Sequence, residues 1–493
     1  MLEKPPGELT NFRIFGGTFV EASGNRTGLD RLFNRSIPSA AYDSFVADSK
    51  ASCMEGTRMQ YIENITSWAT SVSQAHPQRL LWLYGPAGVG KSAVAKSCAT
   101  ETARIGHLGA SFFFSRDNGV VNPADFFTTL ACQIAIHVPE YKRAVSAKVE
   151  ADPTLLDKGL ETQFQELIIT PFLELHNQRI LLVQRTIFVD GLDECDGNLA
   201  QSKIVDLIIK SVVTYGKSIP LLWAFFTRPE RHIDDVFSRY VEPPIVWSID
   251  LQVSSDDSSD IRLYFRNSLY LWPPVDDTYL PSTPPAWPSE EELEILVEMV
   301  AGLFRSATAV SRYIMYPYAP SPQRQLRNVL EFHLRLRESS AQPSTSPMNV
   351  TSDIDAFYTL IMGCIPPQHL LLARQILLVV RTTDSESEIP IRIPAIILDI
   401  SLSDLRNSLS KLSLVLGLRR DRESQGSDDR RAWPGSETIS INDLSFMEFL
   451  WDRERSKEYC IQDTHNFGIL AARGMSLMKE MHQINGLSRG AAF

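Results

Sequence analysis

The segment Gly85-Pro86-Ala87-Gly88-Val89-Gly90-Lys91-Ser92 constrains this chain more than any other. It follows the apolar run Leu80-Leu81-Trp82-Leu83-Tyr84, which reads as a buried strand, and it precedes a helix-like stretch from Ala93 to Ile105. The glycines let the backbone curl until successive N–H groups point inward, and the helix behind adds the positive end of its dipole. Strand, tight turn and helix in that order form a cradle for oligophosphate. The backbone N–H groups from Gly85 to Ala93, Pro86 excepted, line the phosphates, Lys91 reaches the β- and γ-phosphates, and the Ser92 hydroxyl binds Mg²⁺.

A second metal-binding position is expected from Arg185-Thr186-Ile187-Phe188-Val189-Asp190. This β-branched and aromatic run reads as a buried parallel strand that delivers Asp190 to the carboxyl edge of a sheet, where ligands of open α/β sheets bind. Asp190 would hold the Mg²⁺ from the side opposite Ser92. Fast ATP hydrolases often carry Glu immediately after this Asp, but Gly191 stands there, and the acids follow as Asp193 and Glu194. Either could orient an attacking water, and either could instead cap the next helix, expected over 196–214. The run Leu221-Leu222-Trp223-Ala224-Phe225-Phe226 is a further short buried strand, ending in Thr227-Arg228-Pro229-Glu230. Arg228 at the sheet edge either contacts the γ-phosphate, distinguishing ATP from ADP, or pairs with a neighbouring carboxylate.

Runs at 80–84, 110–114, 186–190, 221–226 and 245–250 give five buried strands alternating with helices such as 125–137 and 162–175. Such alternation predicts an α/β fold, a P-loop NTPase parallel five-stranded sheet with helices on both faces. Past Ser254 the strand pattern stops. Helical spacing over 258–269, 290–316, 354–381 and 402–416, with a strand at 438–441, predicts an all-α helical domain followed by a winged-helix domain. The proline-rich stretch 272–287 reads as an exposed loop and the polar stretch 339–346 as a joint. Residues 13–20 read as a hairpin about Gly16-Gly17 within a partly disordered arm. The expected layout is therefore an arm over 1–50, the nucleotide module with its lead-in helix over 51–250, a helical domain and linker over 251–350, a winged helix over 351–455 and a helical tail over 456–493.

Taken together, the loop at 85–92, the Phe112-Phe113-Phe114-Ser115-Arg116 strand, the Asp190-Gly191-Leu192-Asp193-Glu194 core and Thr227-Arg228-Pro229-Glu230 resemble the NACHT NTPases. The likeness is to fungal NACHT proteins related to NOD-like receptors, in the signal-transducing (STAND) class of P-loop ATPases. Cys53-Met54-Glu55-Gly56-Thr57-Arg58 looks like the family's lead-in segment, Gly302-Leu303-Phe304 like its helical-domain signature, and 444–450 like the segment closing its winged helix. The resemblance implies a molecular switch: an ADP-bound closed form opens on exchange for ATP and self-associates, so that attached effectors cluster. Where relatives often carry a nucleotide-sensing His, this chain has Asn442-Asp443, so that role does not carry over. Many relatives end in propeller or ankyrin arrays, and no repeat of that length follows Leu450.

Composition narrows the partners. Acidic residues number 59 against 48 basic, a formal net charge of −11, which disfavours nonspecific binding to nucleic acid because phosphate backbones need clustered cations. The basic residues over 324–337 read as a solvated helix face. Six scattered cysteines without short paired spacing indicate neither a disulfide framework nor a zinc site. The start lacks a signal-peptide pattern and no apolar run reaches eighteen residues, so a cytoplasmic protein without a membrane span is expected.

The resulting expectation is a nucleotide-dependent switch with ATP/ADP and Mg²⁺ as cofactors. It would hydrolyse ATP slowly, form a homo-oligomer in its ATP state, and work with a protein effector or sensor partner in intracellular signalling or an innate-immunity-like response. The alternative is an ATP-binding scaffold or interaction protein that never hydrolyses.

Overall fold

The computed structural model describes residues 12–15, 18–21, 27–44, 52–70, 78–240, 245–252, 257–270, 287–300, 302–315, 321–339, 367–382, 389–412, 416–420, 437–441 and 444–462, with isolated residues over 355–365 and 467–473. The stretches 272–286 and 340–346, Asn442-Asp443, and most of the tail past 462 lie outside the described residues.

The short strands β1 (Phe12–Phe15) and β2 (Thr18–Glu21) pair antiparallel, as the sequence predicts for this hairpin. Five strands build the central sheet: β3 (Leu80–Tyr84), β4 (Leu108–Phe113), β5 (Arg185–Asp190), β6 (Leu221–Thr227) and β7 (Val246–Asp250). All pairings are parallel, in the order β4-β5-β6-β3-β7. β3 and the body of β6 are continuous apolar runs because both faces of the sheet are covered. Period-two alternation divides each strand between two cores: Leu221, Trp223 and Phe225 of β6 enter one, and Leu222, Ala224 and Phe226 enter the other. Each such large side chain, fully buried, contributes about 1.5–3 kcal/mol. β7 departs from the expected set of buried strands. It lies at the sheet edge with its residues half-buried or exposed, as a strand with one neighbour allows.

Residues 27–44, inside the expected N-terminal arm, are folded onto the module. Helix α1 (Gly28–Arg35) starts with a capping box between Thr27 and Asp30. Its first amide donates to Glu150 Oε1 at 2.9 Å, and Leu32 and Ala40 are fully buried in the main core. Helix α2 (Met59–Ala69) packs its Ile65 and Trp68 under the opposite face.

The expected single helix over 290–316 is two, Glu290–Val300 and Phe304–Ile314. Gly302 interrupts them with φ 79°, a left-handed conformation that glycine takes without a Cβ penalty. The expected helix over 402–416 also ends early, at Leu412, and Leu416–Arg420 is a strand instead. With the strands β8 (Ile389–Pro390), β9 (Leu416–Arg420) and β10 (Glu437–Ile441) in the order β8-β10-β9, and the helices Pro367–Thr382, Arg392–Leu398 and Leu402–Leu412, the winged-helix arrangement is complete. One continuous core runs from Ile261 to Ile461, so the helical and winged segments are packed together rather than strung apart.

Gly191 shows how tightly the sheet edge is built. Its φ is +68°, and a Cβ there would lie 3.0 Å from the carbonyl oxygen of Phe114. Gly191→Ala is expected to destabilise the fold by about 1–3 kcal/mol, because strain and a backbone clash coincide. Chemical denaturation measures this as a lowered midpoint, and an unchanged midpoint contradicts it.

Candidate phosphate and metal site

Three neighbouring strands place the candidate residues at one edge. β6 lies between β3 and β5, with Tyr84 opposite Thr227 and Asp190 opposite Phe226. The phosphate loop, the acidic turn and Arg228 therefore leave the sheet side by side at its carboxyl end. β4 adds its tail from the far side of β5, where Phe114 N–H donates to Asp190 O at 2.9 Å.

The loop has the curled backbone its glycines permit. Gly88 and Gly90 have φ 85° and 100°, and helix α3 (Lys91–Arg104) starts immediately after Gly90. Gly85 is required for a different reason: a Cβ there would meet Leu251 O at 2.3 Å, where the chain leaving β7 crosses the loop. A Cβ on Gly90 would meet nothing within 4 Å, so the front of the bend is open space.

Ser92 and Asp190 come together. The Ser92 hydroxyl donates to Asp190 Oδ1 at 3.0 Å, although strands two places apart in a sheet are separated by roughly 10 Å. The first turn of α3 spans that gap. The buried Asp190 carboxylate and the half-buried Ser92 hydroxyl form a pair of hard oxygen donors, the donor set that suits Mg²⁺. The residues present thus fit both an oligophosphate and its cation.

The Lys91 ammonium folds back into its own loop, donating to Gly85 O at 2.8 Å and Pro86 O at 2.7 Å. Its pKa is lowered to about 8, first by burial; Asp193, Asp190 and Glu194 oppose the shift and Arg228 reinforces it. Asp190, Asp193, Glu194 and Arg228 thus all act on Lys91.

The two downstream acids are held differently. Asp193 is buried and accepts the Arg228 backbone N–H on Oδ1 at 3.0 Å, and Arg228 Nε lies 3.4 Å from its other oxygen. In this structure Arg228 therefore pairs with a carboxylate, the second of the two roles open to it from sequence. Glu194 is half-buried and accepts the Arg116 backbone N–H at 3.0 Å, while the Arg116 guanidinium donates to Asp193 O at 3.0 Å. Neither acid caps the following helix, which begins at Asn198 without a side-chain cap.

Three residues assigned no role from sequence also touch the site. Arg116 ties the acidic turn to the end of β4. Arg58, buried and with φ 56°, donates through its guanidinium to Val89 O at 3.1 Å and through its backbone N–H to Asp260 Oδ2 at 2.9 Å. It also lies over the Phe304 ring at 5.1 Å. Arg305 N–H donates to Gly88 O at 3.1 Å, at the start of the helix Phe304–Ile314. Arg116 and Arg58 end motif strings visible in the sequence, whereas Arg305 has no signal beyond following Gly302-Leu303-Phe304.

Comparison with known proteins gives one family match: residues 57–224 match the model of the nephrocystin 3 N-terminal region. That span runs from the residue before Arg58 into β6 and includes the loop and the acidic turn. No curated protein matches the chain. Among solved structures, Orc1 of Aeropyrum pernix in complex with DNA is similar at 13% identity over 82% of this chain and 93% of its own, with a TM-score of 0.29. AMPPCP-bound DnaA from Aquifex aeolicus is similar at 12% identity over 76% and 92%, and PCH-2 of C. elegans at 14% over 63% and 73%, each with a TM-score of 0.31. Scores this low transfer neither geometry nor function.

The lowered Lys91 pKa predicts early loss of its proton. Amine labelling followed by mass spectrometry should give half-maximal modification of Lys91 near pH 8, against about 10.5 for an unperturbed lysine. A midpoint above pH 10 contradicts the burial of this ammonium.

Proposed function

We propose that the chain binds Mg-ATP and Mg-ADP at this edge and acts as a nucleotide-dependent switch that hydrolyses ATP slowly. The observation that carries the proposal is the Ser92–Asp190 contact at 3.0 Å across the mouth of the glycine-rich loop. Lys91, now satisfied by loop carbonyls, would exchange them for phosphate oxygens, a stronger charge-assisted contact. The backbone N–H groups from Gly85 to Ala93, Pro86 excepted, would line the phosphates, and Ser92 with Asp190 would hold the cation. Bound Mg²⁺ would supply charge neutralisation on the phosphates.

Of the two acids, Glu194 suits water activation better. Asp193 is buried and already bonded to Arg228, whereas the Glu194 carboxylate is half-buried and so nearer to solvent. Glu194 would orient the attacking water and accept its proton, with Arg116 as its positioning residue.

The switch has a physical route in the contacts of the loop with the helical segment. Gly88 O bonds Arg305, and Val89 O bonds Arg58, which also holds Asp260 and packs on Phe304. Phosphate binding that reshapes the loop would act directly on the helices packed beyond it. The proposed layout keeps 51–250 as nucleotide module, 251–350 as helical domain and 351–455 as winged helix, with output through opening and self-association in cytoplasmic signalling. The resemblance to NACHT switch proteins supports this output.

Three measurements test the proposal. Lys91→Ala should weaken ATP binding at least tenfold in a direct titration, since a hydrogen bond from a charged donor is worth about 1.5–3 kcal/mol; unchanged affinity removes Lys91 from the site. Glu194→Gln should lower phosphate release by roughly 10²–10⁴-fold while nucleotide still binds; equal release in both proteins removes Glu194 as the base, and no release in the parent favours the scaffold. Gel filtration in Mg-ATP should show larger particles than in Mg-ADP, and identical elution at matched concentration counts against the switch.

A further inference from the structure

Glu194 is held through its two chain neighbours. Gln201 Nε2 donates to Asp193 O at 3.3 Å and to Cys195 O at 2.5 Å, so one amide nitrogen pins the peptide units on both sides of the acid. Gln201 lies one turn into the helix Asn198–Tyr215 and is only 2% exposed. Its Oε1 lies 2.6 Å from His232 Nε2. A primary amide has two protons, and here both face carbonyls. The orientation of the amide is therefore fixed, and His232 must be the donor to Oε1. His232 belongs to the helix Arg231–Ser238, which follows β6, and its own carbonyl accepts from Ser202 Oγ at 3.0 Å. Ring and backbone of His232 are thus both tied to the same turn of the helix Asn198–Tyr215. Nε2 carries a proton in this tautomer and in the imidazolium alike, so the chain of bonds survives protonation of the ring.

We propose that Gln201 and His232 are positioning residues for hydrolysis: the relay from His232 through Gln201 to the acidic turn fixes the direction in which Glu194 presents its carboxylate to the attacking water. The proposal rests on the reading of Glu194 as the water-orienting acid. A buried amide is costly to leave unpaired, so the relay favours a single arrangement of the turn over several that differ in where Glu194 points. Misplacing a reacting group by an ångström costs rate, because the water and the acid must meet in one geometry. The bonds of Gln201 and His232 run to the acidic turn, to Ser202 and to each other. The phosphate loop is held by other contacts, so the relay acts on turnover and leaves nucleotide affinity alone.

Single-turnover phosphate release and a direct titration of Mg-ATP, both on the full chain, separate rate from affinity. His232→Phe keeps a ring and removes the donor, and Gln201→Met keeps the length and removes the amide. Each should slow release about five- to twentyfold while the dissociation constant for Mg-ATP stays within about twofold. His232→Gln, whose amide nitrogen can take the place of Nε2, should recover most of the rate. On a Glu194→Gln background His232→Phe should add nothing, because the relay acts only through that acid. Release at the parent rate in His232→Phe or in Gln201→Met overturns the proposal, as does His232→Gln that is no faster than His232→Phe. A further loss on the Glu194→Gln background, or a loss of affinity that matches the loss of rate, marks a merely structural role and also overturns it. Should Gln201→Met not fold, His232→Phe and His232→Gln decide alone. Parent-rate release in Glu194→Gln defeats the reading of Glu194, and no release in the parent defeats hydrolysis itself; either takes the relay with it. A slow Glu194→Gln beside a fully active His232→Phe defeats the relay alone.

Discussion

The hydrogen bond from Ser92 to Asp190 is the constraint on which the site depends. The residues are 98 positions apart and their strands are not neighbours, so only the order β5-β6-β3 with a helix crossing above β6 can bring them within 3.0 Å. Two oxygens with a shared proton mark a point where a hard cation would replace that proton. The glycines place an amide-lined bend beside this point, and the burial of β3, β5 and β6 holds all three parts in one plane. Any change to the strand order would scatter the loop, the acid and Arg228 to different places.

The loop is also the meeting point of the two halves of the molecule. Its outer carbonyls, at Gly88 and Val89, are taken by Arg305 and Arg58, and Arg58 reaches across to Asp260 and Phe304. The outer carbonyls are committed to the helical segment. A single peptide turn thus borders the open front of the bend on one side and the helical segment on the other. Because the described helical and winged segments share one core, a displacement at Arg305 would act on that core.

Much of this was legible in the sequence, for identifiable reasons. β3 and β6 read correctly because their apolar runs are short, continuous and flanked by turn residues, and the glycine-rich loop is specific because its glycines serve different steric needs. The misread segments had weaker local signals. Helical spacing continues across Gly302, so only the observed φ separates the two helices there. Leu416–Arg420 follows a helix of similar apolar content, and pairing with β10 makes it a strand. The fate of Arg228 was undecidable from spacing, since it depends on which carboxylate the 35-residue return of the chain places beside it. Arg58 was invisible as a link for the same reason, because Asp260 lies 202 positions away.

The central claim is that the bend near Gly90 and the tip of β5 grip one triphosphate and one divalent cation together. Titrating ATP into the full chain with Mg²⁺ and again with a chelator tests it most directly, with Ser92→Ala beside the parent. Binding of one ATP per chain that weakens on chelation, with Ser92→Ala losing most of that metal dependence, is the predicted result. ATP affinity that is absent, or equal with and without Mg²⁺ in the parent, would contradict it.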